Sequence, residues 1–275
     1  MKTWLALGLW IAAAQGCGAQ PPGRAVTFSF EYAEHAGYGE TPVRLTVEGT
    51  EATLVRQQSQ TEAQAIGVFH APVSSEDIHR LTAATPDALR AAVSMPPDSP
   101  NFTVRLRTGA RNVSLRIAVH PEALTEVEAL TKEIARLTGE LHWKPERALW
   151  LELMPPTAAL AAGKPTDFVV RLHNPGTQVL ILPLKAGAIT IEAMGAVAPP
   201  RVAGVTPRPR FWETAGAGKA LPASVTIPAG GTADLRLQAT IDESKQMLVR
   251  ANFEMRRSAD AFGAAFSKPL SINVK

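Results

Sequence analysis

The sequence predicts an α+β N-terminal domain, an antiparallel sheet with helices on one face, followed by an all-β sandwich. Three observations carry this. A strand–turn–strand alternation runs from Phe102 to Val119, and a helical period replaces it from Pro121 to Leu141. Beyond Pro145 only short β-prone runs occur, separated by turn signals. The chain has 275 residues, 45% hydrophobic and 19% charged, enough for two ordinary cores and too apolar for a largely disordered chain. Its 22 prolines and 20 glycines, against 6% aromatic residues, favour short strands and many turns over a helical bundle.

In the first half, Ala25 to Phe30 alternates apolar and small polar residues as a strand does, and Val43, Leu45 and Val47 alternate with Arg44, Thr46 and Glu48. Gly49-Thr50 turns the chain into a third strand through Leu54. Ser74 or Ser75 caps a short helix through Leu81, with Asp77 placed for a capping box. A further helical turn is expected around Ala88 to Val93. In the hairpin, Phe102, Val104 and Leu106 face Val113, Leu115, Ile117 and Val119 across a turn at Gly109, with one face dry and one wet. The alternation puts Arg44, Arg105, Arg107 and Arg116 on the wet face. A helix from Pro121, ending near Gly139, offers the stripe Leu124, Val127, Leu130, Ile134, Leu137 and Leu141 to cover the dry one.

His142-Trp143-Lys144-Pro145 reads as the joint, giving domains at residues 24–143 and 147–275. Strands are expected at Leu149–Leu153, Phe168–Leu172, Val179–Leu182, Ala188–Ile191, Ser224–Ile227, Ala233–Leu237, Met247–Phe253 and Leu270–Val274. Ala162-Gly163-Lys164 before a strand, Leu172-His173-Asn174-Pro175-Gly176 leaving it, and Ile227-Pro228-Ala229-Gly230-Gly231-Thr232 resemble the phrasing of immunoglobulin-like domains of bacterial envelope proteins. That resemblance implies an immunoglobulin-like β-sandwich, and similar phrases occur in the intracellular proteinase inhibitor domains of bacilli. The strand order of the first half resembles, in layout alone, the emfourin-type inhibitor domains of bacterial metalloprotease clusters.

The single cysteine, Cys17, excludes an intramolecular disulfide and any zinc site of two or more thiolates. Ahead of it stand Lys2, an apolar stretch from Trp4 to Ala14 and small residues, the layout of an export signal too short to span a bilayer as a stable helix. Ala14-Gln15-Gly16-Cys17 resembles the bacterial lipobox, with Ala14 where the family usually has Leu. The resemblance implies a signal peptide over residues 1–16, lipid on Cys17, a tether over 17–23, and attachment to an envelope membrane. With Gly18 rather than Asp after the cysteine, it implies the outer membrane where the cell has one. The competing expectation is plain secretion with cleavage after Ala14 or Ala19. Without residues 1–16 the chain has 27 basic and 25 acidic side chains, net +2. Residues 24–145 carry 12 basic and 15 acidic groups, net −3, and residues 146–275 carry 15 and 10, net +5. This split argues against a nucleic-acid-binding stripe along the molecule.

Catalytic signatures do not survive inspection. Glu76-Asp77-Ile78-His79 is half of a di-iron helix motif without its second copy, and His35, His70, His79 and His120 lack a close metal-ligand pair. Gly216-Ala217-Gly218-Lys219 has Glu213 and Ala220 where a phosphate loop needs Gly and Ser or Thr, and is expected to be a flexible loop. Asn101-Phe102-Thr103 and Asn112-Val113-Ser114 are formal sequons only. No cofactor is expected. The proline-rich stretch from Pro199 to Trp212 sets Arg201, Arg208 and Arg210 beside Phe211 and Trp212, the composition of interaction hot spots, and is the candidate partner site. The expected function is a non-enzymatic envelope module binding a protein or a cell-wall or polysaccharide ligand. The alternative is a protease inhibitor or an accessory subunit of a secreted hydrolase.

Overall fold

The computed structural model describes residues 28–36, 42–59, 64–90, 99–195, 213–217, 221–243, 246–255 and 262–275. The chain is mostly β, and its main feature is one ten-stranded antiparallel sheet. The first half supplies β1 (Ser29–His35), β2 (Val43–Glu48), β3 (Glu51–Arg56), β4 (Ile66–Pro72), α1 (Ser75–Ala84), β5 (Asn101–Arg107), β6 (Asn112–Ala118), α2 (Pro121–Glu126) and α3 (Glu128–Leu141). The second half supplies β7 (Pro145–Leu153), β8 (Pro165–His173), β9 (Leu180–Pro183), β10 (Ile189–Gly195), β11 (Glu213–Thr214), β12 (Gly216–Ala217), β13 (Ser224–Ile227), β14 (Thr232–Thr240), β15 (Gln246–Glu254), β16 (Ala264–Phe266) and β17 (Leu270–Asn273). The large sheet runs β12-β14-β8-β7-β4-β3-β2-β1-β5-β6, a second sheet runs β11-β10-β15-β16 with β17 also on β15, and β9 pairs with β13.

The alternation of β1, β2, β3, β5 and β6 works as expected. Phe30, Leu45, Val47, Leu54, Val104, Leu106 and Ile117 all lie on one face and are buried. Helical residues Leu81, Ala123, Leu130, Ile134, Leu137 and Leu141 close over them in one apolar cluster. Ser74 caps α1 through a reciprocal capping box with Asp77, as its spacing requires. The chain from Ala88 to Arg90 is irregular rather than helical, and the rest of that expected turn lies outside the described residues. Arg111 explains the stop: its guanidinium donates to the carbonyls of Thr82 and Thr85 at 2.6 Å and pairs with Asp87. The helix expected from Pro121 to Leu141 is two helices, because Val127 at φ −114° and ψ 18° interrupts the ladder. Its side chain is still buried, so the apolar stripe passes through the break.

The expected joint at His142–Pro145 opens a strand that pairs on both sides. Strand β7 binds β4 through Ile66↔Leu149 and Gly67↔Ala148, and binds β8 through Trp150↔His173 and Leu151↔Leu172. Its alternate residues feed different cores. Ala148 and Trp150 pack with the helix-covered cluster, whereas Leu149, Leu151 and Leu153 join Phe168, Val170, Leu172, Leu235 and Leu237 against Ile191, Val249 and Phe253 of the second sheet. Strand β4 was not anticipated, since Ile66-Gly67-Val68-Phe69 does not alternate. Ile66 belongs to one core and Phe69 to the other, and the register shifts between Val68 and Phe69.

Gly67 lets this crossing close. It sits at φ +132°, and a Cβ there would lie 2.1 Å from the Arg147 carbonyl oxygen and 2.8 Å from Ala148 Cα. At the far end of β8 the Asn-Pro-Gly phrase is structural. Asn174 is 1% exposed and donates Nδ2 to the carbonyls of Gln178, Ile227 and Pro228, while its Oδ1 accepts from Gly176 N–H. One side chain thus ties the β8–β9 turn to the β13–β14 turn. Gly216-Ala217, expected in a loop, instead pairs with Thr240 and Ala239 at the edge of the large sheet.

Gly67→Ala should lower the unfolding free energy in urea by about 3 kcal/mol or more, because both the backbone conformation and the contact with Arg147 resist a methyl group. Asn174→Ala should cost about 2–4 kcal/mol in the same measurement, since buried carbonyls lose their donors.

Candidate functional site

The face of strands β6, β5, β1, β2 and β3 opposite the helices bears the four arginines that alternation assigned to it. Arg105 stands directly across from Glu31 and donates Nη1 to Glu31 Oε2 at 3.2 Å. Arg44 approaches the other oxygen of the same carboxylate, Nε to Oε1 at 4.0 Å, so Glu31 answers two guanidinium groups. Arg116 is exposed and donates Nε to Asn101 Oδ1 at 3.2 Å, and exposed Arg107 sits across from Ser29 and Asn112. Thr46, Thr103 and Ser114 fill the positions between them. The side chains of Arg44 and Arg105 are 53% and 62% exposed, so their guanidinium groups remain open to a ligand. Acidic groups concentrate at one corner, where Glu48 pairs with Glu51 across the β2–β3 turn and His70 contacts Glu51 at 3.0 Å.

On the other half of the large sheet, the face away from the second sheet carries Trp150, Glu152, Arg171, His173 and Asp234. The Trp150 and His173 rings stack at 3.7 Å and 8°. His173 Nε2 meets Glu152 Oε2 at 2.9 Å, and Arg171 grips Asp234 with two hydrogen bonds, at 2.8 and 2.9 Å. These pairs are closed onto one another. The Arg171–Asp234 partnership holds the carboxyl of Asp234 below its usual range and pushes Arg171 upward. The sequence reading missed this set, although the alternation that buries Leu149, Leu151, Val170 and Leu172 implies it.

No protein-family model matches the chain, and no curated protein is similar to it in sequence.

Of the residues singled out from the sequence, Cys17, Arg201, Arg208, Arg210, Phe211 and Trp212 lie outside the described residues. The histidines do not converge. His35 Nε2 contacts the Thr103 hydroxyl at 3.2 Å, His70 contacts Thr53 and Glu51, and His79 and His120 are exposed. Among the described residues no three His, Cys, Asp or Glu side chains group as metal ligands, and no helix is long and apolar enough to cross a membrane. Glu76 pairs with Arg80 on α1, where Glu76, His79 and Arg80 are all exposed. Asn101 of the first sequon is buried.

One buried charge was not foreseen. Arg56, 7% exposed, extends under the C-terminal end of α3, where Nη1 donates to His142 Nδ1 at 3.1 Å and the guanidinium lies 5.5 Å from the Phe69 ring centroid. Burial lowers the pKa of Arg56, partly offset by Glu34, whose carboxylate also accepts from the Tyr32 hydroxyl at 2.8 Å. Because a guanidinium can only donate, Nδ1 of His142 must be the unprotonated nitrogen. Burial, then the Arg56 charge, pushes His142 below its ordinary imidazole value. The folded state thus takes up a proton here less readily than the unfolded chain. The stability from this contact is complete above the ordinary imidazole pKa and is lost as pH falls below it. His142→Gln keeps an acceptor but cannot titrate. Melting temperatures measured between pH 8 and pH 5 should fall less for this variant than for the wild type, and parallel curves would dismiss the assignment.

Proposed function

We propose that the chain is the precursor of a bacterial envelope lipoprotein whose exported part is a non-enzymatic binding module for a protein or a cell-wall or polysaccharide ligand. In this reading the signal peptide is cut before Cys17, and lipid on that cysteine holds the protein at the membrane. Residues 24–143 are an α+β domain, its antiparallel sheet covered by helices on one face, and residues 147–275 are an immunoglobulin-like β-sandwich. The polar groups on the second half's exposed sheet face satisfy one another, as in a scaffold, while the first half presents an open row of arginines.

That open face is the observation that carries the binding reading. Four guanidinium groups share it with one central carboxylate, and Arg supplies forked donors suited to carboxylate or phosphate. The stretch with Arg201, Arg208, Arg210, Phe211 and Trp212 is the proposed second contact, because it adds large aromatic anchors to the more basic half.

After a wash at about 1 M salt, which screens electrostatic contacts, Cys17→Ala should leave the membrane pellet for the soluble envelope fraction while the wild type stays. Retention in the pellet would mean that another feature anchors it. In affinity capture from envelope extract, Trp212→Ala should recover several-fold less partner at an unchanged melting temperature. A large fall in melting temperature would place Trp212 in the core instead.

A further inference from the structure

We infer that the arginine face of β1, β2, β5 and β6 docks on the anionic headgroup phosphates of the bilayer that holds the protein. This deepens the lipoprotein reading and rests on it for the orientation of the molecule. Two features select a lipid surface. The first is chemistry. Arg105, Arg107 and Arg116 cluster at the β5–β6 edge, Arg44 extends the row across β2, and Thr46, Thr103 and Ser114 lie between them. A protein or glycan partner can use the aromatic anchors of the stretch with Phe211 and Trp212 in addition to this face, whereas an anionic surface needs the guanidinium groups alone. On these four strands the face carries guanidinium, hydroxyl, carboxylate and amide groups, the His35 imidazole and the small Ala33 and Ala118, so it offers charge without a large apolar or aromatic anchor.

The second feature is reach. Ten residues, Gly18 to Thr27, separate Cys17 from Phe28, so the lipid-bearing residue lies within about 40 Å of the start of β1. Ser29 lies between Arg107 on β5 and Glu48 on β2, which puts the start of β1 at one end of the same face. A face of this size held within that distance of a charged plane meets it at high local concentration. The acidic corner at Glu48 and Glu51 lies on the β3 side, so repulsion there tilts the β5–β6 edge toward the bilayer. Each arginine near an anionic leaflet is worth roughly a fivefold gain in partition, and the attraction decays within a Debye length.

The test uses the mature chain with Cys17→Ala, so that lipid plays no part, in co-sedimentation with vesicles of phosphatidylcholine alone or mixed with phosphatidylglycerol. Binding should require phosphatidylglycerol and vanish near 1 M salt, where the Debye length falls to about 3 Å. Replacing Arg105, Arg107 and Arg116 together by Gln should weaken it about a hundredfold. Glu31→Gln should strengthen it, an outcome that misfolding would not produce, and Arg171→Gln on β8 should leave it unchanged. Absence of binding to phosphatidylglycerol vesicles, or equal binding by the triple variant, overturns the inference. Release by millimolar inorganic phosphate would also overturn it, by assigning the face to a free anion. Mass spectrometry of the wild type's N-terminal peptide decides lipidation separately: a chain that never acquires lipid but binds these vesicles through the three arginines keeps the docking face and loses the anchor.

Discussion

Strand β7 has a core on each of its faces, and the rest of the structure is arranged around that requirement. A single sheet must be buried from above by helices over β1 to β6 and from below by a second sheet under β7, β8 and β14. The exchange of faces happens where β4 meets β7, and only small residues fit there. Gly67 faces Ala148 with backbone in contact, a place where any side chain larger than hydrogen meets a carbonyl. Because the sheet is continuous, each half covers one face and leaves the opposite face of its own strands bare. Both polar surfaces of the molecule follow from this crossing.

Magnitudes separate what holds the fold from what the surfaces can do. Burying one Leu, Val or Phe side chain contributes about 1.5–3 kcal/mol, and dozens are buried in the two clusters. An exposed ion pair such as Arg105–Glu31 contributes about 0–1 kcal/mol. The arginine face is therefore dispensable for folding, and its charges are free to serve recognition. Arg56 is the opposite case. Its charge is buried, its Nε has no hydrogen-bond partner among the described residues, and its guanidinium leans on His142 and the aromatic face of Phe69. A buried cation so placed makes the end of α3 sensitive to proton concentration in a way that exposed pairs are not.

Much of the architecture could be read from local pattern. The hairpin of β5 and β6, the capping box at Ser74 and the stripe from Val127 to Leu141 each express a period or a cap that neighbouring residues dictate, and so does the strand over Ser224–Ile227. The same alternation placed Arg44, Arg105, Arg107 and Arg116 on one wet face. Strand β4 escaped because its two halves serve different cores, which erases the alternation that reveals a strand. Gly216-Ala217 escaped because its pairing partners, Ala239 and Thr240, lie more than twenty residues away, and a two-residue strand has no period.

By itself the sequence determined the periods, caps and turn residues. Each of these depends on residues a few positions apart. Tertiary structure alone decided that the two halves share one sheet, that Glu31 lies between Arg44 and Arg105, that Arg56 reaches His142, and that Trp150 stacks on His173. These pairings join residues from 13 to 86 positions apart in the chain. Their formation depends on register and on the volume left by Gly67 and Ala148, and neither quantity is encoded in any short window of residues.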